Sequence, residues 1–425
     1  MERENMRSVR TAVVGCGMIS DIYLKNCRDL FSILEVVGCC DIREDAAKQK
    51  AREYGIRSMT LEEIMEDTSI EMVINLTAPA AHYAVIRQLL QSGKHVYTEK
   101  VLALELEEAK ELATLADKNH VYLGAAPDTF LGSALQTGRF ILDSGMIGEP
   151  TGCLAVLNRD NRVGAEFIPY IARAGGGIGF DVGIYYMTAL LSLMGPVKEV
   201  SGFMDTREPM RTHRYPNRPG FGEPYQVECE NLMAGALHFQ DGAMGTVLFN
   251  SECIMNRYPE LTIFGTQGIL YLPDPDGFGG EVKVLRRGSR EPAAIQQNHG
   301  FEENSRGLGA AEMAWALRKG RVPRAGKEMA VHSLEALHGI AESARTKRAY
   351  SMTTDFYRPK PLPQGYLRRS DFADFEADEE AALAVDGGGL EDEGKALAAD
   401  DAGLTNETKT LSVGDNGSVA KEIRR

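Results

Sequence analysis

Glu99 and Lys100 end one apolar run of this chain; Asp181 and Tyr185 begin another. These are residue types that move protons. A lysine acts as a base when burial and nearby positive charge lower its pKa. Asp181 and Tyr185 are four residues apart and share a helix face if the helix has already begun there. An aspartate N-cap with a core tyrosine behind it has the same spacing. The glycines at 175–177 let that loop approach a ligand closely. A third segment indicates what the proton transfer is coupled to. Gly15-Cys16-Gly17-Met18-Ile19-Ser20 follows directly on an apolar strand. Gly15 permits the tight turn, and Gly17 lets the backbone approach a pyrophosphate. Ser20 is small enough for helix–strand packing, and the helix it opens points its free N–H groups at the phosphates. Asp41 ends the next apolar run, where a carboxylate accepts from a ribose 2′-hydroxyl. NAD is therefore the expected cofactor. Arg43 is placed to welcome a 2′-phosphate and leaves NADP open.

The elements that must position these groups alternate. Strands are expected at 10–14, 34–40, 72–77, 95–98 and 121–125, with helices at 19–30, 43–54, 61–66, 82–92 and 105–119. Such alternation predicts a parallel, doubly wound sheet over residues 8–126. Ligands bind outside the carboxyl ends of strands in such sheets. Thr77, Pro79 and His82 follow the third long strand and are expected beside the nicotinamide. Glu99 and Lys100 end the next strand at the same edge. From about residue 150 the runs lengthen: 150–158, 197–205, 230–239, 243–250, 260–265 and 269–273. Gln240-Asp241-Gly242 and Thr266-Gln267-Gly268 are hairpin turn signals. This predicts a second, α+β domain over 127–355, built on an antiparallel sheet. Helices at 305–320 and 330–346 close it, the first carrying the chain back toward the first domain.

The 425 residues are 43% hydrophobic and 25% charged, as in soluble globular proteins. No apolar run approaches the ~20 residues that span a bilayer. The first residues lack the apolar segment of a signal peptide, and the cytoplasm is the expected location. A net charge of −14 argues against nucleic acid as a partner. The seven cysteines show no metal-ligand spacing, so no metal is expected. Residues 360–425 hold 15 acidic and 8 basic side chains, a net −7, with few aromatic residues. Such a composition predicts a mostly disordered acidic tail.

Taken together, these segments resemble the Gfo/Idh/MocA family of oxidoreductases. The resemblance runs over residues 8–355, through the glycine turn, the 77–82 stretch, Glu99-Lys100, the Gly175…Asp181-Val-Gly183-Ile-Tyr185 segment and the late helix carrying Trp315. It implies a Rossmann domain followed by an open-faced sheet, catalytic roles for Lys100 and Asp181, sugar, cyclitol or related polyol substrates, and homo-oligomers packed through the sheets. Two positions depart from the family pattern. Val101 stands where the family usually has proline, and Tyr185 where it commonly has histidine. Tyrosine still donates and accepts a proton, though its reference pKa near ~10 makes it a poorer base. The 126–132 segment also resembles a branch associated with glycoside oxidation.

The function expected on these grounds is nicotinamide-dependent oxidation of a secondary ring hydroxyl in a sugar, glycoside or cyclitol. Lys100 and Tyr185 would share the hydroxyl proton, with Asp181 orienting them. Asp128, Arg159, Tyr170 and Arg173 are candidate substrate contacts, as is Arg162. The same scaffold can run oxidation followed by elimination as an NAD-recycling glycosidase or lyase. It can also serve as a non-catalytic NAD-binding sensor.

Overall fold

The computed structural model describes residues 7–254, 260–297 and 299–362. Most of the acidic tail lies outside these residues.

Six short strands form the first sheet: β1 (Val9–Val14), β2 (Leu34–Cys40), β3 (Arg57–Ser58), β4 (Met72–Asn75), β5 (His95–Thr98) and β6 (Leu123–Ala125). All pairings are parallel, in the order β3-β2-β1-β4-β5-β6. The strands between them are joined by helices α1 (Ser20–Asp29), α2 (Glu44–Tyr54), α3 (Leu61–Glu66), α4 (Pro79–Gln91) and α5 (Leu106–Lys118). Val13, Val73, Ile74, Val96 and Tyr97 are fully buried, as strands covered on both faces require. The strand order reverses between β1 and β4, which opens a crevice at their carboxyl ends. Helix α4 begins at Pro79, earlier than the expected 82, because proline at the first helical position needs no N–H partner. The two-residue β3 was too short to register as an apolar run.

Helix α6 (Ser133–Asp143) leads into the second domain. It is not among the elements expected from the sequence, and nine of its eleven residues, polar ones included, are buried. There follow β7 (Pro150–Asn158), α7 (Asn161–Phe167), a wide π-helical turn at Gly179–Gly183, α8 (Ile184–Met194) and β8 (Val197–Asp205). A small hairpin, β9 (Met210–Thr212) with β10 (Pro224–Gln226), stands apart from the main sheet. The remaining elements are β11 (Leu232–Phe239), β12 (Met244–Asn250), β13 (Glu260–Gly265), β14 (Gly268–Leu272), β15 (Val282–Arg286), β16 (Ala293–Ile295), α9 (Leu308–Lys319), α10 (Lys327–Thr346) and β17 (Tyr350–Ser351).

The second sheet has nine strands, ordered β16-β15-β14-β13-β7-β12-β11-β8-β17. It is mixed rather than wholly antiparallel as expected: β7 and β12 run parallel. The chain leaves β7 through two α-helices and four strands before β12 returns beside it, so a hairpin cannot set that pairing. Helix α10 packs against β8 on one face. Phe203, Met244, Leu248 and Phe264 are exposed on the other.

Helix α9 returns to the first domain. Asn26 donates to the carbonyls of Asn304 and Arg306, and Arg318 donates to those of Arg7 and Ser8. Residues 359–362 are docked, which corrects the tail boundary set at 360. Leu362 N donates to Gln136 Oε1 at 2.6 Å, and the Leu362 side chain is buried. Among the described residues no helix is long and apolar enough to cross a membrane, and no group of three or more His, Cys, Asp or Glu side chains is arranged to hold a metal ion.

Candidate active site

The glycine turn sits at the β1/β4 reversal. Gly15 has φ +99°, and a Cβ there would lie 2.6 Å from the Leu76 backbone, so only glycine fits. A Cβ on Gly17 would meet nothing within 4 Å. The turn therefore opens onto free space, a cavity of about 810 Å³ lined by Gly15, Gly17, Asp41, Arg43, Thr60 and Thr77. Ser20 is buried and donates to the Gly17 carbonyl at 2.6 Å, while Ile19 precedes the helix and Met18 is exposed. The residues at the turn thus leave room for a dinucleotide and supply a helix N-terminus to its phosphates.

Asp41 closes the cavity on the β2 side. Its oxygens accept from Cys16 N and Arg43 N, each at 2.8 Å. The Arg43 guanidinium lies 3.7 Å from the same carboxylate and is largely exposed. Thr77 donates to Asn75 Oδ1 at 2.9 Å, and Pro79 opens α4, whose Ala81 and Val85 line the cavity. His82 does not face the cleft as expected. It is fully buried, with Nδ1 2.6 Å from the Val101 carbonyl and Nε2 2.9 Å from that of Thr77. It ties the end of β5 to the end of β4, and burial holds its pKa below the ordinary histidine value.

Strand β5 runs straight into Glu99 and Lys100. Glu99 accepts from Tyr23 OH at 2.7 Å and from Lys100 N at 3.1 Å. Lys100 Nζ reaches across to the second domain and donates to Asp181 Oδ1 at 2.5 Å. Tyr170 OH donates to the same oxygen at 2.5 Å. The Lys100 ammonium also lies 5.6 Å from the Tyr185 ring centre. Asp181 sits in the wide turn and Tyr185 in the first turn of α8, so the two come to one cluster. π-helical turns of this kind are frequent at functional sites.

The electrostatics invert one expectation. Burial disfavours the Lys100 charge, but Asp181, helped by Tyr185, Tyr170 and Glu99, holds its pKa well above the ordinary lysine value. Lys100 is thus an ammonium, not a resting base. Burial pushes the Tyr170 and Tyr185 phenols up, and Lys100 offsets only part of that. Both are neutral phenols.

The other candidates divide. Tyr170 belongs to the cluster. Asp128 does not line the cleft: it is buried, and one oxygen accepts from Gly307 N at 2.9 Å and Gly309 N at 3.0 Å. It caps α9, and burial pushes its carboxyl up to about 6. Arg159 lies 3.2 Å from Asp274 and 3.3 Å from Asp276. Arg162 pairs with Asp160 and Arg173 with Glu228, both as partly exposed pairs. Neither bonds to the Lys100 cluster. Sequence reasoning missed Tyr23, Asp276 and Arg306. Arg306 Nη2 is 2.9 Å from Asp276 Oδ1 and 3.5 Å from Tyr185 OH. Its only sequence signal was its place just before the late helix.

Comparison with known proteins agrees with this architecture. Residues 9–126 match the model of an oxidoreductase family with an NAD-binding Rossmann fold, and residues 135–271 match the Gfo/Idh/MocA C-terminal domain. An uncharacterized oxidoreductase of Schizosaccharomyces pombe is 26% identical over 206 residues, 48% of this chain and 56% of the relative. The match thus spans a little over half of that protein's length. The scyllo-inositol 2-dehydrogenase (NAD(+)) of Bacillus subtilis is 27% identical over 267 residues, 62% of this chain and 73% of that enzyme. A solved levoglucosan dehydrogenase, in complex with NADH and L-sorbose, superposes with a TM-score of 0.73 at 17% identity, over 82% of this chain and 99% of that one. At that identity the likeness is one of fold. With both halves matched in order, the chain belongs to the Gfo/Idh/MocA family of oxidoreductases.

Proposed function

We propose that this protein oxidises a secondary hydroxyl of a sugar, cyclitol or related polyol with NAD as the hydride acceptor. The observation that carries the reading is the Lys100–Asp181–Tyr170 hydrogen-bonded cluster at the carboxyl end of β5. That sheet edge is where a nicotinamide lies in doubly wound folds. The inositol dehydrogenase relative and the levoglucosan dehydrogenase fold support the substrate class.

The glycine turn with Asp41 would hold NAD, which would supply an acceptor for the carbon-bound hydrogen as hydride. The protein's residues handle the remaining proton. Lys100, as an ammonium, donates a hydrogen bond to the substrate oxygen. As hydride leaves, Lys100 first gives a proton to Asp181 Oδ1 and, with the lone pair this frees, takes the hydroxyl proton, so the ammonium is restored. Asp181 is the resident acceptor, since Tyr170 and Tyr185 are neutral phenols. Tyr170 holds the carboxylate in place, and Arg306 steadies the Tyr185 hydroxyl.

Asp41 at the cavity rim favours NAD over NADP, because a carboxylate repels a 2′-phosphate. The exposed apolar row Phe203, Met244, Leu248 and Phe264 supports a homo-oligomer packed through the sheet, which light scattering would test.

The test of function is a spectrophotometric screen of NAD reduction across sugars, glycosides and inositols. Turnover with ring polyols, absent in Lys100→Ala, is the expected result. NAD binding without turnover on any polyol would sink the dehydrogenase reading and leave an NAD-binding sensor. Glycoside cleavage without net NAD reduction would point to oxidation–elimination.

A further inference from the structure

Behind the Lys100–Asp181 pair lies a second cavity, of about 510 Å³, lined by Val101, Phe180 and Glu230 among others. Glu230 is buried. Its Oε1 accepts from Gly179 N at 3.0 Å, and the carboxyl also takes the N–H of Phe180. Its backbone carbonyl accepts from Ile178 N at 3.2 Å. Side chain and backbone together therefore grip three consecutive peptides just before Asp181. The space is closely fitted: a Cβ on Gly177 would lie 2.0 Å from Glu230 Oε2. Nothing in the proton path uses this carboxyl, yet it binds the backbone of the turn that carries Asp181.

We propose that Glu230 is a positioning residue for the Lys100–Asp181 pair: its carboxylate holds the N–H groups of Gly179 and Phe180 and so fixes the turn that presents Asp181 to Lys100. The role rests on the dehydrogenase reading for its effect on rate. A charged acceptor holds peptide N–H groups at the start of a helical segment more strongly than a neutral one. Burial, with Asp181 nearby, pushes the Glu230 carboxyl up to about 7. The other ionisable groups around it are Cys229 beside it, Glu105 before α5, Asp205 at the end of β8, Glu228 and His338 of α10, all on the same cavity. Burial keeps the Cys229 thiol protonated, pushed up to about 12, and holds His338 below its ordinary value. Of the charges nearby, the Asp181 carboxylate adds to burial in favouring protonated Glu230. The grip therefore strengthens as pH rises through neutrality.

Glu230→Gln keeps an acceptor oxygen but removes charge and titration. Glu230→Ala removes the acceptor as well. A misplacement of about 1 Å can cost about 10²-fold in rate. On a polyol found by the NAD screen, Glu230→Gln should lower kcat by about tenfold with KM nearly unchanged. It should also abolish an acid limb near pH 7 that the wild type shows. Glu230→Ala should lose about tenfold more. A second readout needs no substrate. In carbon-13-labelled protein, the Asp181 carboxyl signal should show a step with a midpoint of about 7, lost in Glu230→Gln. An Asp181 signal indifferent to Glu230, or a Glu230→Gln pH profile superimposable on wild type, overturns the proposal. A wild type that shows the coupled step but turns over no polyol would overturn the dehydrogenase reading and leave the positioning role standing.

Discussion

Lys100 Nζ donates to Asp181 twice, to carboxylate Oδ1 at 2.5 Å and to the backbone carbonyl at 2.8 Å. One side chain from the end of a parallel strand thus holds both ends of a residue in the other domain. Lys100→Ala removes the ammonium and leaves a buried carboxylate with Tyr170 as its side-chain donor. Turnover should fall by about 10²–10⁴-fold, the usual contribution of a proton-transfer group. NAD affinity, read by fluorescence titration, should change little, because the glycine turn lies elsewhere. Removing one partner of a buried pair costs about 3–5 kcal/mol, so the melting temperature should also drop. Near-normal turnover would place the chemistry at other residues.

The two tyrosines should separate. Tyr170 OH bonds the Asp181 carboxylate directly, whereas Tyr185 OH has Arg306 at 3.5 Å. Tyr170→Phe should slow kcat by about tenfold, consistent with loss of a hydrogen bond to a charged group worth about 1.5–3 kcal/mol. Tyr185→Phe should cost less. The reverse order in steady-state kinetics would show that Tyr185, not Asp181, takes the proton.

Gly15 and Gly17 should fail in different ways. Alanine at Gly15 meets backbone at 2.6 Å and needs φ +99°, so Gly15→Ala should lower the melting temperature. Leucine at Gly17 projects into open space, so Gly17→Leu should fold normally and lose NAD. Calorimetric titration and thermal melts distinguish the two, and an unchanged NAD affinity in Gly17→Leu would refute the cradle.

Where the chain can be cut is set by Leu362. Arg139 donates to Pro359 O at 2.9 Å, Arg324 to Lys360 O at 3.0 Å, and Leu362 N to Gln136 at 2.6 Å. Truncation after 362 should leave the melting temperature intact. Truncation after 358 should lower it, since Arg139 and Arg324 lose buried acceptors worth about 1–3 kcal/mol each. Equal melting of the two truncations would show that the docked turn contributes nothing.

Acid should loosen the end of the second sheet through Glu335. Burial opposes its charge, but the hydroxyls and N–H groups of Thr353 and Thr354 outweigh that and hold its carboxyl down to about 2. Because the folded value is depressed, its contribution is present above the ordinary 4.5 and is lost as pH falls from there toward about 2. Glu335→Gln should lower stability at neutral pH and flatten the acid limb of a melting-temperature profile. An unchanged acid limb would count against it.

Local chemistry made much of this protein legible in one dimension. Val9–Val14 running into Gly15 and Gly17 specifies strand, turn and helix within a dozen residues, because steric and dipole effects act over that range. The alternation that followed implied a parallel sheet, and Glu99-Lys100 stood out as polar groups ending a buried strand. Long-range packing lay beyond that reach. Helix α6 buries polar Ser133, Gln136, Thr137 and Arg139 along with its apolar residues, a burial that only its neighbours in the fold decide. The parallel β7–β12 pair joins segments some ninety residues apart. Asp128 looked like a ligand contact until α9 came down on it, and Lys100 looked like a base until Asp181 arrived from the other domain. A pKa depends on what surrounds a group within a few ångströms, and those neighbours come from distant parts of the chain. Residue types could therefore be read from the sequence, while protonation states and proton partners were decided only by tertiary structure.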